Sequence, residues 1–245
     1  MTYCVGILLN TGLVFAADTR TNAGVDHVSS FKKLSVFEQP GERVMVILSA
    51  GNLATTQAVV NHITRAVEAG NGENNILAAP NMFDAAEMVG AILSHEIELH
   101  GEQVKAANAD ASASFILGGQ IKGGQLRLFQ IYSAGNFIEA SAESPFVQIG
   151  ETKYGKPILD RVIDADTPIH LAVKAALLSF DSTMRSNLSV GLPIDVVTVK
   201  KDAYAADRQM RVDADDPFYQ DLRKRYDRGI VDLFDTLPEP DWASD

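Results

Sequence analysis

Short apolar runs separated by turn residues dominate the first fifty positions, a pattern typical of β-strands. Residues 3–9 and 13–17 are mostly apolar, and the Asn-Thr-Gly sequence at 10–12 has the composition of a hairpin turn. A further strand is predicted over 43–49, where consecutive apolar residues suit a strand covered on both faces. The start of the chain is therefore predicted to form one arm of a β-hairpin.

After residue 51 the spacing of apolar positions lengthens to three or four, as on amphipathic helices, and later shortens again. The predicted elements are helices at 52–67 and 81–100, strands at 113–117, 126–132 and 137–140, helices at 151–162 and 167–184, and a strand at 194–200. Strands and pairs of helices that alternate in this order predict an α+β protein. Two sheets would lie between helical layers, as a four-layer αββα sandwich.

Turn and cap residues refine these boundaries. A turn after the strand at 113–117 is predicted at Gly118-Gly119 or at 122–124, where the sequence is Lys-Gly-Gly. Neither glycine pair is followed by the Lys-Ser/Thr ending of a phosphate-binding loop, so both are interpreted as turns. Thr167 is the predicted N-cap of the helix after it, because Pro168 then takes the first helical position.

The last 31 residues, 215–245, differ from the rest of the chain. Asp and Arg alternate there, and apolar side chains recur at helical spacing. An amphipathic helix is predicted, followed by a Pro-rich end. It would dock on the body of the protein or on a neighbouring subunit, or remain a solvated terminal helix. We therefore expect a main domain at 1–212 and a C-terminal helical extension at 213–245.

Composition restricts the classes of function. A chain of 245 residues, 46% of them hydrophobic, can bury the core of one domain. Its net charge of −11 disfavours nucleic acid and anionic membranes as partners, because both attract clustered Lys and Arg. Cys4 is the only cysteine, and neither a secretory signal nor an apolar run of about 20 residues is found. A soluble cytoplasmic protein is expected.

Thr2 raises the question of chemistry, because it follows the initiator Met1 directly. If Met1 were removed, one residue would carry both a hydroxyl and a free α-amine. A hydroxyl is a weak nucleophile unless a base takes its proton, and an α-amine with a pKa of about 8 is such a base. The same sequence also suits an ordinary first strand, so the rest of the chain must decide between the two interpretations.

Four stretches carry a family resemblance: TYCVGI at 2–7, VFAADTR at 14–20, KKL at 32–34 and LSAG at 48–51. In this order and spacing they resemble the β-subunits of the proteasome superfamily, N-terminal nucleophile (Ntn) hydrolases with a threonine nucleophile. The stretch RSNLSVG at 185–191 looks like a looser version of the late motif of that superfamily. The opening residues, the length and the Asp- and Arg-rich tail are most similar to the bacterial proteasome-type family called Anbu.

The resemblance implies an Ntn-hydrolase αββα fold and a role for each matching residue. Thr2 would attack the scissile carbonyl. Lys33, as a neighbouring cation, would lower the pKa of the Thr2 hydroxyl and of the Thr2 α-amine. Asp18 would orient Lys33 and keep it charged, and Gly51 would donate its N–H to the oxyanion. Ser189 matches the serine of the late motif. Each residue alone also suits a strand end or a solvated surface, but four motifs in order favour the site.

Some positions depart from the family pattern. Glu151 stands where proteasome subunits have a serine close to the nucleophile, and Ser186 or Asn187 stands where they have an aspartate. Asp181 would substitute for that aspartate if the loop were rearranged. The accessory proton network is therefore expected to differ from that of ordinary proteasome subunits.

The resulting hypothesis is a threonine-type peptidase that cleaves peptide amides through an acyl-enzyme at Thr2. The family implies self-assembly into a homo-oligomeric ring or open spiral, peptide or protein substrates, and an ATP-dependent unfoldase as a further partner. No metal or organic cofactor is needed; the His95 and His100 pair is five residues apart, whereas the helical zinc motif requires four. The alternatives are an Ntn amidase acting on small molecules and a non-catalytic assembly subunit.

Overall fold

The computed structural model describes residues 2–22, 28–70 and 74–241. The strands in this part of the chain are β1 (Tyr3–Leu9), β2 (Gly12–Asp18), β3 (Arg20–Asn22), β4 (Val28–Ser30), β5 (Leu34–Gln39), β6 (Arg43–Gly51), β7 (Ala113–Ile121), β8 (Arg127–Ile131), β9 (Phe137–Glu139), β10 (Phe146–Gly150), β11 (Ile194–Lys200) and β12 (Arg208–Val212). The α-helices are α1 (Leu53–Ala69), α2 (Met82–Ala106), α3 (Lys156–Val162), α4 (Ile169–Ser186) and α5 (Pro217–Phe234), and a short 3₁₀ helix spans Ile76–Ala78.

Two five-stranded antiparallel sheets form the centre of the molecule. One has the strand order β10-β1-β2-β11-β12 and the other β5-β6-β7-β8-β9, while β3 and β4 form a separate two-stranded ribbon. The apolar core has three layers: one between the two sheets, one between the second sheet and α1 and α2, and one between the first sheet and the helices α3, α4 and α5. The predicted four-layer αββα sandwich is confirmed.

Strand alternation explains why the first hairpin is apolar on both faces. Along β1, Cys4 points into the layer between the sheets, whereas Tyr3, Val5 and Ile7 point towards α4. Since both faces of the strand are covered by other elements, a continuous apolar run is required rather than an alternating one. The tight turn after Leu9 holds β1 against β2 in register, with Cys4 opposite Ala17.

The turn prediction at Gly118-Gly119 is wrong, because both glycines lie inside β7. A Cβ at Gly118 would meet the Phe15 ring at 2.7 Å, and one at Gly119 would meet the Val44 carbonyl oxygen at 2.0 Å. These glycines allow close packing across and along the sheets instead of a change of direction. The turn lies at 122–124, the other predicted place, where Gly123 has a φ of +84°.

Helix boundaries also differ from the prediction. α4 begins at Ile169, and its N-cap position is occupied by Pro168, which makes no side-chain cap bond. The hydroxyl of Thr167 instead accepts a hydrogen bond from the Asp164 N–H at 3.0 Å. α3 is shorter than predicted, because residues 151–155 form a turn between β10 and the helix. Strands β3, β4, β5, β10 and β12 were not predicted.

The C-terminal helix α5 is confirmed, and the first half of it docks on α4. Tyr219 is fully buried, and Arg223 donates to the buried carboxylate of Asp181 in α4. Further along, apolar side chains of α5 such as Ile230 and Phe234 are exposed. The first half of α5 therefore docks on the body of the protein, whereas the second half leaves apolar side chains exposed to solvent. None of the helices in the described ranges has both the length and the apolar character needed to cross a lipid bilayer.

Candidate active site

The start of β1 places Thr2 at a large cavity. β1 is held between β2 and β10, with Tyr3 opposite Gly150, and the carbonyl of Thr2 accepts a hydrogen bond from the Glu151 N–H at 2.7 Å. Thr2 is half-buried and lines a cavity of about 770 Å³. Met1, whose removal the Thr2 hypothesis requires, lies outside the described residues. The position of Thr2 is thus fixed by its backbone bond to Glu151 and by the pairing of β1, which begins at the next residue.

A buried ion pair lies beside the N-terminal strand. Asp18, at the end of β2, is fully buried, and its Oδ1 is 2.8 Å from Nζ of Lys33. The same carboxylate accepts hydrogen bonds from the N–H of Tyr3 at 3.1 Å and of Gly191 at 3.3 Å. Lys33 also donates to the carbonyl of Arg20 at 2.5 Å. The ammonium is therefore held by one charged and one neutral oxygen.

Burial sets the electrostatics of this pair. Burial raises the pKa of the Asp18 carboxyl above its ordinary value, while the Lys33 ammonium and the two N–H donors act in the opposite direction. Each charge would be costly without the other, since a buried carboxylate or ammonium loses its hydration. Lys33 is 6% exposed and Lys32 is exposed, so Lys33 is the inward-facing lysine, in agreement with the sequence-based choice.

Gly51 ends β6 at the wall of the same cavity. Its φ is +113°, which side chains rarely tolerate, and a Cβ there would meet the Ser112 carbonyl oxygen at 2.4 Å. Glycine is therefore required at this position by the backbone itself. The absence of a side chain also leaves the backbone of Gly51 open to a ligand in the cavity, which it lines together with Thr2 and Lys33.

The late loop joins the ion pair to Glu151. Glu151 is buried, and its Oε2 accepts a hydrogen bond from Nδ2 of Asn187 at 3.0 Å. The Oδ1 of Asn187 in turn accepts from the N–H of Ser189 at 2.9 Å. Ser189 is half-buried and does not line the cavity, whereas Ser186 is exposed at the end of α4. Of the two candidates for the late aspartate position, Asn187 is the one that contacts Glu151.

The expectation that Asp181 replaces the late aspartate is wrong. Its carboxylate is fully buried on α4, where Arg223 donates to one oxygen and Arg185 to the other, the latter at 3.4 Å. Arg185 also pairs with Asp227 of α5. Asp181 therefore anchors the C-terminal helix. Its partner Arg185 follows at i+4 on the same helix. This spacing of an acidic and a basic residue was visible in the sequence and predicts an ion pair along the helix.

Sequence reasoning missed the backbone partners of the ion pair. The Gly191 N–H and the Arg20 carbonyl both contact it, yet neither is visible from residue type. Cys4 was set aside as a core residue; its side chain is fully buried, and burial raises the pKa of the thiol. A thiol in that state is a poor nucleophile.

The site as a whole combines a hydroxyl, an ammonium and an open backbone position on one cavity. Thr2, Lys33 and Gly51 line it, and Asp18 lies behind Lys33. This set can activate a hydroxyl by a nearby positive charge and can stabilise an anion that forms on a bound carbonyl. Ser189 is linked to the set indirectly, through Asn187 and Glu151 and through the loop that carries Gly191.

Solved structures of similar proteins cover nearly the whole chain. Anbu (ancestral beta-subunit) from Yersinia bercovieri is 47% identical, with a TM-score of 0.91 over 97% of this chain and 98% of that one. A mutant of Anbu from Hyphomicrobium sp. strain MC1 is 49% identical, with a TM-score of 0.90 over 98% and 100%. The helical assembly of the Anbu complex from Pseudomonas aeruginosa is 43% identical, with a TM-score of 0.90 over 99% and 100%. No protein-family model matches the chain, and no curated protein does.

Proposed function

Because the chain belongs to the Anbu family of proteasome-type subunits, we propose that it is a threonine-type peptidase whose nucleophile is Thr2 once Met1 has been removed. The observation that carries the proposal is the buried pair of Lys33 and Asp18, which opens onto the same cavity as Thr2. Burying a lysine with a single carboxylate partner is energetically costly. Its position at the cavity that Thr2 lines therefore favours a role in the chemistry of Thr2 over a purely structural one.

The proposed reaction begins with attack of the Thr2 Oγ on the scissile carbonyl carbon. The hydroxyl proton passes to the α-amine of the same residue, directly or through a water molecule. The tetrahedral intermediate then collapses as the C–N bond breaks, and the departing amine takes that proton. An ester at Thr2 remains. Water then attacks the ester carbonyl and gives a proton to the α-amine. The second tetrahedral intermediate collapses as the C–O bond to Thr2 breaks, and the Oγ takes that proton, which releases the acid product and restores the hydroxyl.

The ion pair serves this sequence through charge. The ammonium of Lys33 favours the less protonated forms of the Thr2 hydroxyl and amine, because an ammonium near another ammonium is disfavoured. Asp18 pairs with the Lys33 ammonium and fixes its direction. The N–H of Gly51 is the proposed donor to the oxyanion, and donors of this kind are typically worth about 3 to 4 kcal/mol of barrier.

Glu151 and Asn187 are the proposed replacements for the usual accessory groups. They are joined by a hydrogen bond, and the backbone of Glu151 binds the backbone of Thr2. We assign them a positioning role for the N-terminus, with Ser189 supporting Asn187. The alternative of a non-catalytic assembly subunit is favoured by one observation, which is that these positions differ from those of ordinary proteasome subunits. Small-molecule amidase activity would use the same Thr2 machinery.

Self-assembly is part of the proposal. The relative from Pseudomonas aeruginosa forms a helical assembly, and we propose that this chain likewise assembles with copies of itself into an open spiral or ring. The enclosed sites would receive peptides directly or protein chains from an ATP-dependent unfoldase. The one cysteine is a free, buried thiol, which suits the reducing cytoplasm that we propose for this protein. The proposed reaction needs no metal.

The test is intact-mass analysis before and after treatment with a peptide epoxyketone, which reacts with a hydroxyl and an adjacent amine. Protein produced in its own host should lack Met1 and gain one adduct per chain at Thr2. The Thr2→Ala variant should gain none, whereas the control Thr11→Ala, in the exposed turn before β2, should react as the wild type does. Retention of Met1, or an adduct at another residue, would contradict the proposal.

A further inference from the structure

The cavity beside Thr2 differs in charge from the rest of the protein. The chain carries 32 acidic and 21 basic residues, yet no Asp or Glu is found among the described residues that line this cavity, and two lysines are. Glu151 follows the lining residue Gly150, but its carboxylate is turned to Asn187. The described wall of the cavity is therefore more positive than the chain as a whole.

The two lysines do not contribute equally to that charge. Lys33 is neutralised by Asp18 and is buried. Lys32 is exposed, lines the cavity, and has no ion-pair partner in the described part of the chain. The positive charge that a ligand meets is consequently that of Lys32. An ammonium on a flexible stem can reach a carboxylate in the cavity with little rearrangement.

The helix α1 adds neutral donors to the wall of the cavity. Gln57 and Asn61 lie one turn apart on the face that lines the cavity, and both amide side chains are exposed. The first turn of α1 carries no acidic residue, so the positive end of the helix dipole is not offset there. Phe31 and Val60 also line the cavity and can contact the methylene groups of a longer side chain.

We propose that this cavity selects peptides with an acidic side chain, preferably Glu, next to the scissile carbonyl, and that Lys32 recognises the carboxylate. The inference rests on the proposed function for the location of that carbonyl at Thr2. Gln57 and Asn61 supply hydrogen bonds to the same carboxylate, and Phe31 packs against the stem. A lysine side chain is disfavoured in the cavity, because it would bring a second ammonium to Lys32.

The experiment compares binding and cleavage of three peptides that differ only at this position, with Glu, Gln or Lys. Binding is measured with the Thr2→Ala variant, so it requires no chemistry, and cleavage is measured with the full wild-type chain. Glu should be preferred to Gln by about threefold to fivefold in low salt, as for one solvent-exposed charge pair, and added salt should reduce that ratio. Lys should be the poorest of the three.

The variants separate Lys32 from general charge effects. Combined with Thr2→Ala, Lys32→Gln should remove the preference for Glu over Gln, and Lys32→Glu should make Lys the best of the three peptides. The control Lys201→Gln removes another exposed lysine far from the cavity and should keep the wild-type order. Equal binding of the Glu and Gln peptides, or a ratio that Lys32→Gln leaves unchanged, overturns the inference. Selective binding without any cleavage supports the inference and contradicts only the proposed peptidase function.

Discussion

Two fully buried aspartates, Asp18 and Asp181, are paired with different kinds of cation in this protein. Asp18 faces one lysine and two backbone N–H groups, and the lysine opens onto a cavity. Asp181 faces two arginines, Arg223 and Arg185, whose other contacts are to the C-terminal helix or to solvent. Both carboxylates satisfy the same requirement, since a buried charge needs a partner. They differ in the position of that partner: Lys33 faces a cavity, whereas the two arginines hold the C-terminal helix.

The choice of cation explains the difference. A guanidinium is planar, always charged and able to bind a carboxylate with several N–H groups, which suits a fixed anchor between helices. An ammonium is a compact charge that changes the protonation of its neighbours, which suits a position beside a nucleophile. We therefore expect the Asp18 pair to act in catalysis and the Asp181 pair to stabilise the fold. Substitutions in each pair can test this distinction.

The largest effect is expected at Lys33. Lys33→Met keeps the approximate volume but leaves Asp18 buried without its cation, so the free energy of unfolding should fall by about 3 to 5 kcal/mol. Peptide cleavage should fall by roughly a hundredfold to a thousandfold, because the charge beside Thr2 is lost. Unfolding in urea and the kcat/KM of a peptide substrate measure the two effects at fixed protein concentration.

A double variant distinguishes the structural role of this pair from the catalytic one. Asp18→Asn combined with Lys33→Met removes both charges and should recover a large part of the lost stability, because no uncompensated charge remains. Cleavage should stay at the level of Lys33→Met. Recovery of cleavage together with stability would show that Lys33 acts only by supporting the fold.

The second prediction concerns Asp181. Asp181→Asn removes the charge shared by Arg223 and Arg185 and should lower the free energy of unfolding by about 2 to 3 kcal/mol, since hydrogen bonds to charged groups are lost. Cleavage per folded chain should remain as in the wild type. Urea unfolding and active-site titration give the two quantities. Loss of cleavage in a chain that remains folded would mean that Asp181 acts at the site after all.

The fold was largely predictable because most of its elements bury a regular apolar pattern. The strands at 43–49 and 194–200 and the first four helices were all identified, with errors only at their ends. β12 was missed because it is an exposed edge strand with the polar sequence RQMRV, which shows no alternation. Gly118-Gly119 was misread because glycine serves close packing as well as turns, and only the facing strand distinguishes the two.

The candidate site was predictable only where side chains carry the chemistry. Thr2, Lys33 and Gly51 could be named from short motifs, and the structure brings them to one cavity. The contacts of Asp18 with backbone N–H groups, and of Lys33 with a carbonyl, depend on where the chain passes and not on residue type. Asp181 failed as a candidate because nearness to the late motif in the sequence does not fix the direction of a side chain on its helix.

The third prediction uses the tyrosine next to Thr2. Burial raises the pKa of Tyr3 to about 12, above the value of about 10 in an unfolded chain. The folded state therefore holds this proton more tightly, and the stability that it contributes is complete below pH 10 and is lost as the pH rises through about 12. The loss should be on the order of 2 kcal/mol in urea unfolding across this range. Tyr3→Phe should make this loss smaller, while the exposed Tyr154→Phe should leave it unchanged.

The smallest effect is expected from two buried tyrosine hydroxyls compared at neutral pH. The Tyr3 hydroxyl is hydrogen-bonded to Ser179 and Gln148, both at 2.5 Å. The Tyr219 hydroxyl, at the docked half of α5, is buried and has no hydrogen-bond partner among the residues that the structure describes. Tyr3→Phe should therefore lower the free energy of unfolding by about 1 to 1.5 kcal/mol, because two buried polar groups lose their partner. Tyr219→Phe removes an unpaired group and should leave the stability unchanged or raise it slightly. If both variants lose the same stability in urea unfolding, the Tyr219 hydroxyl is bonded in solution, and the anchor of the C-terminal helix contains a polar contact as specific as the one that positions the start of β1.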